Sequence, residues 1–97
     1  MKTLEEIKKT LEKQKPVLYD RYGVVEIGIF GSFVRGEQTD ASDLDILVAF
    51  FGPISLLSLV GLENYLSDIL GLRVDIIPRE DVRLEIRREI MEETVYV

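Results

Sequence analysis

Two carboxylates at a fixed spacing carry the first chemical signal in this sequence. Asp43 and Asp45 stand two residues apart at the start of an apolar segment. On a strand, residues at this spacing point to the same face, roughly 6–7 Å from one another. Two carboxylates so placed repel each other unless a cation lies between them. Because Mg²⁺ favours oxygen ligands and completes its shell with water and nucleotide phosphates, the pair predicts a magnesium site.

A Gly-Ser turn precedes this pair and predicts a site for phosphate. Gly31 and Ser32 follow an apolar run, and glycine allows the backbone to approach a ligand closely. Ser32 is expected near the N-terminus of a short helical turn, where amides and a hydroxyl can hold phosphate oxygens. Arg35 lies one helical turn further on, where it can add positive charge or brace the loop against a carboxylate.

A third carboxylate, Asp75, lies inside the apolar segment 72–77. A lone acid within an apolar strand is costly unless it has a partner or a metal. If this strand lies beside the strand that begins at residue 44, Asp75 joins Asp43 and Asp45 in one cluster. Two of the three would hold metal, and the third could orient or deprotonate an attacking hydroxyl. Such a set suits in-line phosphoryl or nucleotidyl transfer with two metal ions.

Each of these residues also has a plainer explanation. Asp43 and Asp45 are alternatively solvated acids at a strand entrance, and Asp75 is alternatively an edge-strand acid that faces water. Ser32 is alternatively a simple helix cap, and Arg35 is alternatively one half of a structural salt bridge. The metal and phosphate interpretation is favoured because its parts occur together at the required spacing.

The composition limits the other chemistries that are available. The 97 residues include no cysteine and no histidine, which excludes disulfides, thiolate or imidazole metal sites and a Ser-His-Asp triad. The net charge of −6 disfavours a large nucleic-acid interface, because phosphate contacts require Lys and Arg. Any catalysis must therefore use carboxylates, bound metal, hydroxyls, Lys or Arg. No secretory leader or membrane span is expected, so the predicted location is cytoplasmic.

Hydrophobic periodicity and turn residues predict the elements that position these side chains. Three apolar segments rich in β-branched residues predict strands: residues 24–30, 44–51 and 72–77. Helical spacing predicts four helical segments: residues 4–22, 33–37, 55–70 and about 81–93. We expect one domain over residues 1–97 with an α/β (α+β) fold, in which helices flank a small mixed sheet of three or four strands.

Three details of the helices are specific enough to test. Pro16 is expected to interrupt or restart the first helix, since it has no N–H to donate. The last helix is expected to pack through Val82, Ile86 and Ile90. The third helix is more apolar around Leu56 and Leu57 than one buried stripe requires. That excess predicts either a buried central helix or a surface for a partner.

The sequence resembles the DNA polymerase β-type nucleotidyltransferase superfamily in its short motifs. The motifs are Gly31-Ser32, Arg35-Gly36, Ser42-Asp43-Leu44-Asp45 and Val74-Asp75. More narrowly, the chain resembles the minimal nucleotidyltransferases (MNT proteins), which pair with HEPN-domain proteins in prokaryotic toxin–antitoxin operons. The resemblance covers nearly the whole chain and implies the fold of that superfamily.

The resemblance also implies roles for the residues. The Gly31-Ser32 turn would bind the triphosphate of ATP with help from Arg35, and Asp43 and Asp45 would bind Mg²⁺. Asp75 matches the third acidic position and would act as a base or as an additional metal ligand. In several such pairs, the MNT protein transfers AMP from ATP to a tyrosine of the HEPN toxin, a ribonuclease, and so silences it.

The expected function is therefore that of a Mg²⁺-dependent protein adenylyltransferase that acts as an antitoxin. Two alternatives remain open from the sequence. The first is a binding-only antitoxin that masks its partner while the nucleotide site is idle. The second is a nucleotidyltransferase that modifies a small molecule or an RNA end.

Overall fold

The structure, a computed structural model, describes residues 2–97, and within them it contains a four-stranded mixed sheet. The strands are β1 (Val24–Phe30), β2 (Leu44–Phe50), β3 (Val74–Pro78) and β4 (Val95–Tyr96). Their order across the sheet is β3-β2-β1-β4. β2 pairs with β3 in parallel, whereas β1 pairs with β2 and with β4 in antiparallel. The predicted α/β fold is confirmed, and the tail supplies the fourth strand.

Four α-helices flank this sheet: α1 (Leu4–Tyr22), α2 (Ser32–Arg35), α3 (Leu56–Leu70) and α4 (Leu84–Glu93). Thr3 caps α1 by accepting a hydrogen bond from the Glu6 amide at 3.2 Å. Gly23 ends α1 and Gly71 ends α3, both in the left-handed conformation that favours glycine. Across residues 2–97, the helices are all too short or too polar to cross a membrane.

One face of the sheet carries most of the core. α1 and α3 pack on this face, and alternate residues of β1 and β2 point towards them. Its fully buried side chains are Ile7, Leu11, Leu18, Ile29, Leu44, Ile46, Leu62, Leu66 and Leu70. Burial stabilises the fold by about 1.5–3 kcal/mol for each such side chain. The central position of β2 therefore follows from its apolar sequence.

The opposite face of the sheet is covered thinly. Phe30 and Leu47 are buried there against Val82, with Ile90 and Met91 of α4 packed beside them. Asp45 precedes Leu47 by two residues on β2, so its side chain points to this thinly covered face. The predicted metal site thus lies away from the main core, on the side where solvent and ligands can reach it.

The expected break at Pro16 is wrong, because α1 continues through this residue. Pro16 is exposed, so the carbonyl that loses its partner N–H one turn earlier can bond to water. Leu11 and Leu18, both fully buried, anchor the helix on either side of the proline. Tertiary packing therefore outweighs the loss of one hydrogen bond.

The predicted start and stripe of the last helix are also wrong in part. A 3₁₀ turn occupies Arg79–Asp81, and α4 begins only at Leu84. Val82 is buried but lies between these two elements, whereas Ile86 is 44% exposed. α4 contains no buried residue, so apolar spacing of four does not mark a buried stripe here.

Gly28 lets β4 lie close to β1, and its replacement should disturb this contact. A Cβ at Gly28 would stand 2.4 Å from the Thr94 methyl carbon and 3.1 Å from the Tyr96 ring. Gly28→Ala should therefore destabilise the protein by about 1–3 kcal/mol, because overpacking forces the backbone to shift. Urea unfolding followed by circular dichroism measures this change.

Gly61→Ala is the matched control for that variant. Its Cβ would meet only the Tyr22 ring, at an ordinary 3.9 Å, in the interior of α3. Alanine at such a position should stabilise the protein by roughly 0.5–1 kcal/mol. Equal effects of the two substitutions would contradict the close packing of β4 on β1.

Candidate active site

Parallel pairing of β2 and β3 sets Asp45 directly opposite Asp75. The two residues are Cα partners in the register, with Leu44 opposite Val74 before them and Ile46 opposite Ile76 after them. The Leu44 amide fixes this register at its start by donating to the Arg73 carbonyl at 2.8 Å. The expectation that the third strand lies beside the second is therefore confirmed, and it brings two of the three predicted carboxylates together.

The Gly31 turn lies against Asp45. A Cβ built on Gly31 would stand 2.3 Å from the Asp45 Oδ2 atom, so only glycine leaves room for this carboxylate. Gly31 also has φ 83° and ψ −152°, a conformation that other residues avoid. The turn predicted for phosphate and the carboxylate predicted for metal are thus neighbours in space as well as in sequence.

Asp45 is the most electrostatically perturbed carboxyl of the site. Burial raises its pKa, and the like charges of Asp75 and Asp43 raise it further. The positive charge of Arg35 lowers the pKa in part, while Glu93 adds to the rise. Unpaired negative charge is therefore concentrated at the ends of β2 and β3, where a cation would relieve it.

Asp43 is turned towards a different partner. Its carboxylate pairs with the Arg73 guanidinium at 2.9 Å, and both side chains are largely solvated. In residues 2–97, no group of three or more acidic side chains is arranged to hold a metal ion. The expected three-carboxylate cluster is therefore not assembled in this structure, in which Asp43 pairs with Arg73.

The donor set still fits Mg²⁺ in its chemistry. Mg²⁺ is usually held by one or two carboxylates, with waters and substrate phosphates completing its shell. Asp43 and Asp45 are hard oxygen donors two residues apart at the start of β2. They lie beside the Gly31 turn, which is suited to phosphate. The Asp43–Arg73 pair is exposed, and such pairs are worth about 1 kcal/mol or less. A divalent cation can therefore displace Arg73 at little cost.

Ser32 and Arg35 occupy the short helix that follows Gly31. Gly31 holds the cap position of α2 and Ser32 is the first helical residue, so the simple-cap explanation of Ser32 does not hold. Amides in a first helical turn have no partner within their own helix. Arg35 pairs with Glu37 at 2.7 Å and with Glu93 at 3.0 Å, so the structural salt bridge proposed for it exists.

Glu93 is the residue of this site that sequence reasoning missed. Its carboxylate accepts hydrogen bonds from the Gly31 amide and from the Arg35 guanidinium. Glu93 lies 62 positions after Gly31, in a charged helix that also contains Glu89 and Glu92. No spacing or neighbour in the sequence separates it from those two acids, so only the fold reveals its contact.

The carboxylates lie on an open surface. Asp43 and Asp75 are exposed, and Asp45 is half-buried. A cavity of about 650 Å³ does occur on the sheet, but it lies beyond the other end of β2 and includes none of the predicted site residues. Its lining includes Phe51, Arg79 and Arg87. Asp43 and Asp75 are therefore open to solvent.

Comparison with known proteins shows what this arrangement is similar to. Residues 4–97 match the family model described as "Nucleotidyltransferase domain". The chain is 48% identical over 97 residues to "Protein adenylyltransferase MntA" of Thermococcus cleftensis, and the match covers all of this chain and 98% of that protein. The match to this family thus extends over nearly the whole chain.

Solved structures share the same fold. A protein described as a "putative minimal nucleotidyltransferase" superposes with a TM-score of 0.81 at 35% identity, covering 97% of this chain and 95% of its own. The structure of a tri-AMPylated Shewanella oneidensis HEPN toxin in complex with MNT antitoxin gives a TM-score of 0.68 at 18% identity. That likeness covers 93% of this chain and 70% of the matched chain, and it shows the fold alone.

Removal of the Asp45 charge should stabilise the protein at neutral pH. The pKa of Asp45 is raised in the folded state, so this carboxyl favours folding when protonated and opposes it once ionised. Wild-type stability should fall as pH rises through the raised pKa, and Asp45→Asn should lose that part of the pH dependence. Thermal unfolding from pH 3 to pH 8 measures the difference between the two curves.

Two comparisons make that measurement specific. Asp68→Asn removes an exposed acid of α3 and should leave the pH profile unchanged. Mg²⁺ should narrow the neutral-pH gap between the wild type and Asp45→Asn, since the cation relieves the same repulsion. A wild type that is more stable than Asp45→Asn at pH 7 without metal would contradict the electrostatic account.

Proposed function

The chain belongs to the nucleotidyltransferase domain family, and from that premise we propose that it transfers AMP from ATP to a protein hydroxyl. The acceptor we propose is a tyrosine of a HEPN ribonuclease toxin, which the transfer silences, so that the chain acts as an antitoxin. The observation that carries the proposal is the register of Asp45 opposite Asp75 beside the Gly31 turn. The 48% identity to a protein adenylyltransferase of Thermococcus cleftensis supports protein adenylylation.

In this proposal each residue of the site has a separate role in the transfer of AMP. Gly31, through its close backbone approach, and Ser32, through its amide and hydroxyl, hold oxygens of the triphosphate. Asp43 and Asp45 hold Mg²⁺, which when bound neutralises charge on the phosphates and orients them for in-line attack. Arg35 adds a positive charge at the edge of the same turn.

We assign Asp75 the role of a base or of an additional metal ligand. Its carboxylate is exposed and opposite Asp45, so it can receive the proton of an incoming hydroxyl. The hydroxyl oxygen then forms a bond to the α-phosphorus, and the bond from that phosphorus to the pyrophosphate oxygen breaks. Pyrophosphate leaves, and AMP remains on the acceptor.

A macromolecular acceptor suits the open surface of the site. Asp43 and Asp75 are exposed to solvent, so an acceptor as large as a protein can reach them. A docked protein would supply both the hydroxyl and the walls that exclude water. The complex of an MNT antitoxin with an AMPylated HEPN toxin, on the same fold, supports this choice of partner.

A second candidate function is masking of the partner without catalysis. It is favoured by three exposed apolar side chains in the first turns of α3, which we name the α3 patch: Leu56 is 77% exposed, Leu57 84% and Val60 43%. A surface of this kind marks protein interaction sites. Binding through the α3 patch could neutralise a toxin even if no AMP were transferred.

The double variant Asp43→Asn with Asp45→Asn should abolish AMP transfer and leave the fold intact. Loss of the metal-holding charges should lower the rate by about a hundredfold or more. Intact-mass spectrometry of a HEPN partner, incubated with the chain, ATP and Mg²⁺, measures the increment of AMP. Asp68→Asn is the control and should transfer AMP as the wild type does. A double variant that still adenylylates the partner would show that the site is wrongly assigned.

The same double variant distinguishes catalysis from masking in cells. Co-expressed with the toxin, it should fail to restore growth, although it should still co-purify with the toxin. Full restoration of growth by the variant would mean that binding suffices. Leu57→Glu, in the α3 patch, should weaken co-purification with the toxin if that patch is the interface. This variant keeps the carboxylates of the candidate active site.

A further inference from the structure

Glu93 ties the last helix of the chain to the turn that begins α2. Its Oε1 atom accepts a hydrogen bond from the Gly31 amide, and it also contacts the Arg35 Nη1 atom at 3.0 Å. Oε2 lies 3.1 Å from the same nitrogen, so both carboxylate oxygens are engaged. The Glu93 side chain is 26% exposed, against 49% for Arg35. This is a partly desolvated, charge-assisted contact, the kind that holds geometry well.

The backbone around Glu93 is itself held in place. Thr94 ends α4, where its amide and its hydroxyl both donate to the Ile90 carbonyl, at 3.0 and 2.6 Å. The Thr94 methyl group packs over Gly28 of β1. Glu93 therefore reaches the turn from a fixed base, and its position depends on the packing of β4 against β1.

The helix itself does not favour an acid at this position. A negative charge in the last turn of a helix is opposed by the helix dipole, and α4 has no basic residue there to offset it. The Gly31 amide and the Arg35 guanidinium provide the compensation. The contact thus offsets the unfavourable interaction of the Glu93 charge with the helix dipole.

We propose that Glu93 is a positioning residue for nucleotide transfer, which fixes the Gly31 peptide and the Arg35 guanidinium in the orientation that receives the triphosphate. This inference rests on the proposed function. The Gly31 amide points to Glu93, so the next amide along, that of Ser32, is left for phosphate. Gly31 also lies directly against the Asp45 carboxylate. The same peptide therefore sets the position of the phosphate turn relative to the metal-holding carboxylate.

A competing role for Glu93 makes the opposite prediction. If its carboxylate occupied the place that phosphate takes, its removal would strengthen nucleotide binding. If it positions the turn, its removal must weaken binding, because the Gly31 peptide and Arg35 lose their common partner. The sign of the change in affinity therefore separates positioning from competition.

The test measures binding of a non-hydrolysable ATP analogue with Mg²⁺ by titration calorimetry. Glu93→Ala should weaken binding by about tenfold, the cost of one charge-assisted hydrogen bond. Glu93→Gln should lie between Glu93→Ala and wild type, since its amide oxygen can still accept from Gly31 but no longer carries charge for Arg35. Glu92→Gln removes the neighbouring acid of an exposed pair with Arg88 and should bind as wild type.

Two further readouts separate positioning from a merely structural role. The ¹H chemical shift of the Gly31 amide should move in Glu93→Ala and far less in Glu93→Gln, because only the former lacks an acceptor. Kinetics with a protein acceptor should show a raised KM for ATP in Glu93→Gln. If Glu93→Ala does not fold, Glu93→Gln still decides the matter, since it keeps volume and acceptor.

The outcomes are distinguishable from failure of the proposed function. A wild-type chain that binds no analogue in the presence of Mg²⁺ overturns the proposed function and the inference together. A wild-type chain that binds, with Glu93 variants that bind equally well or more tightly, overturns the inference alone.

Discussion

Two like charges held opposite each other by backbone hydrogen bonds are the constraint around which this protein is built. Parallel pairing of β2 with β3 places Asp45 directly opposite Asp75. Burial and that repulsion raise the pKa of Asp45, so the folded state bears a cost at neutral pH. The cost is concentrated at one end of the sheet, beside a turn that only glycine can form.

The remainder of the fold makes that local cost tolerable. α1 and α3 cover most of the buried apolar side chains, on the face of the sheet opposite the candidate site. The near face has only a small cluster centred on Leu47, and its covering helix α4 has no buried residue. The main core and the candidate active site therefore lie on opposite faces of the sheet. α4 is held by Ile90 and Met91, which pack beside that cluster, and by polar contacts. The contact of Glu93 with the Gly31 amide joins α4 to the site.

Much of this organisation could be predicted from local sequence. Strand and helix positions followed from apolar spacing and glycine stops, and adjacent strands could be inferred to bring Asp75 towards Asp45. The failures have a common physical cause, which is contact between distant segments. Packing of Leu11 and Leu18 carries α1 through Pro16, and β4 reaches β1 only in the folded chain.

The site shows the same division between local and distant determinants. The motif residues could be identified because they are close in sequence and unusual in type. The pairing of Asp43 with Arg73 and the contact of Glu93 with Gly31 could not, because surface charges of this kind occur throughout the chain. Long-range electrostatics thus decides how a recognisable motif is arranged.

The central claim concerns the carboxylates where β2 and β3 begin, which we call the β2–β3 edge. These carboxylates hold a divalent cation together with a nucleotide. Paramagnetic Mn²⁺, which accepts the same oxygen ligands as Mg²⁺, tests it most directly by NMR. The account predicts selective broadening of the amide signals of residues 31–32, 43–45 and 75, enhanced by a non-hydrolysable ATP analogue. Broadening centred on other acidic residues, such as those of α1 or α4, with the β2–β3 edge unaffected, would contradict it.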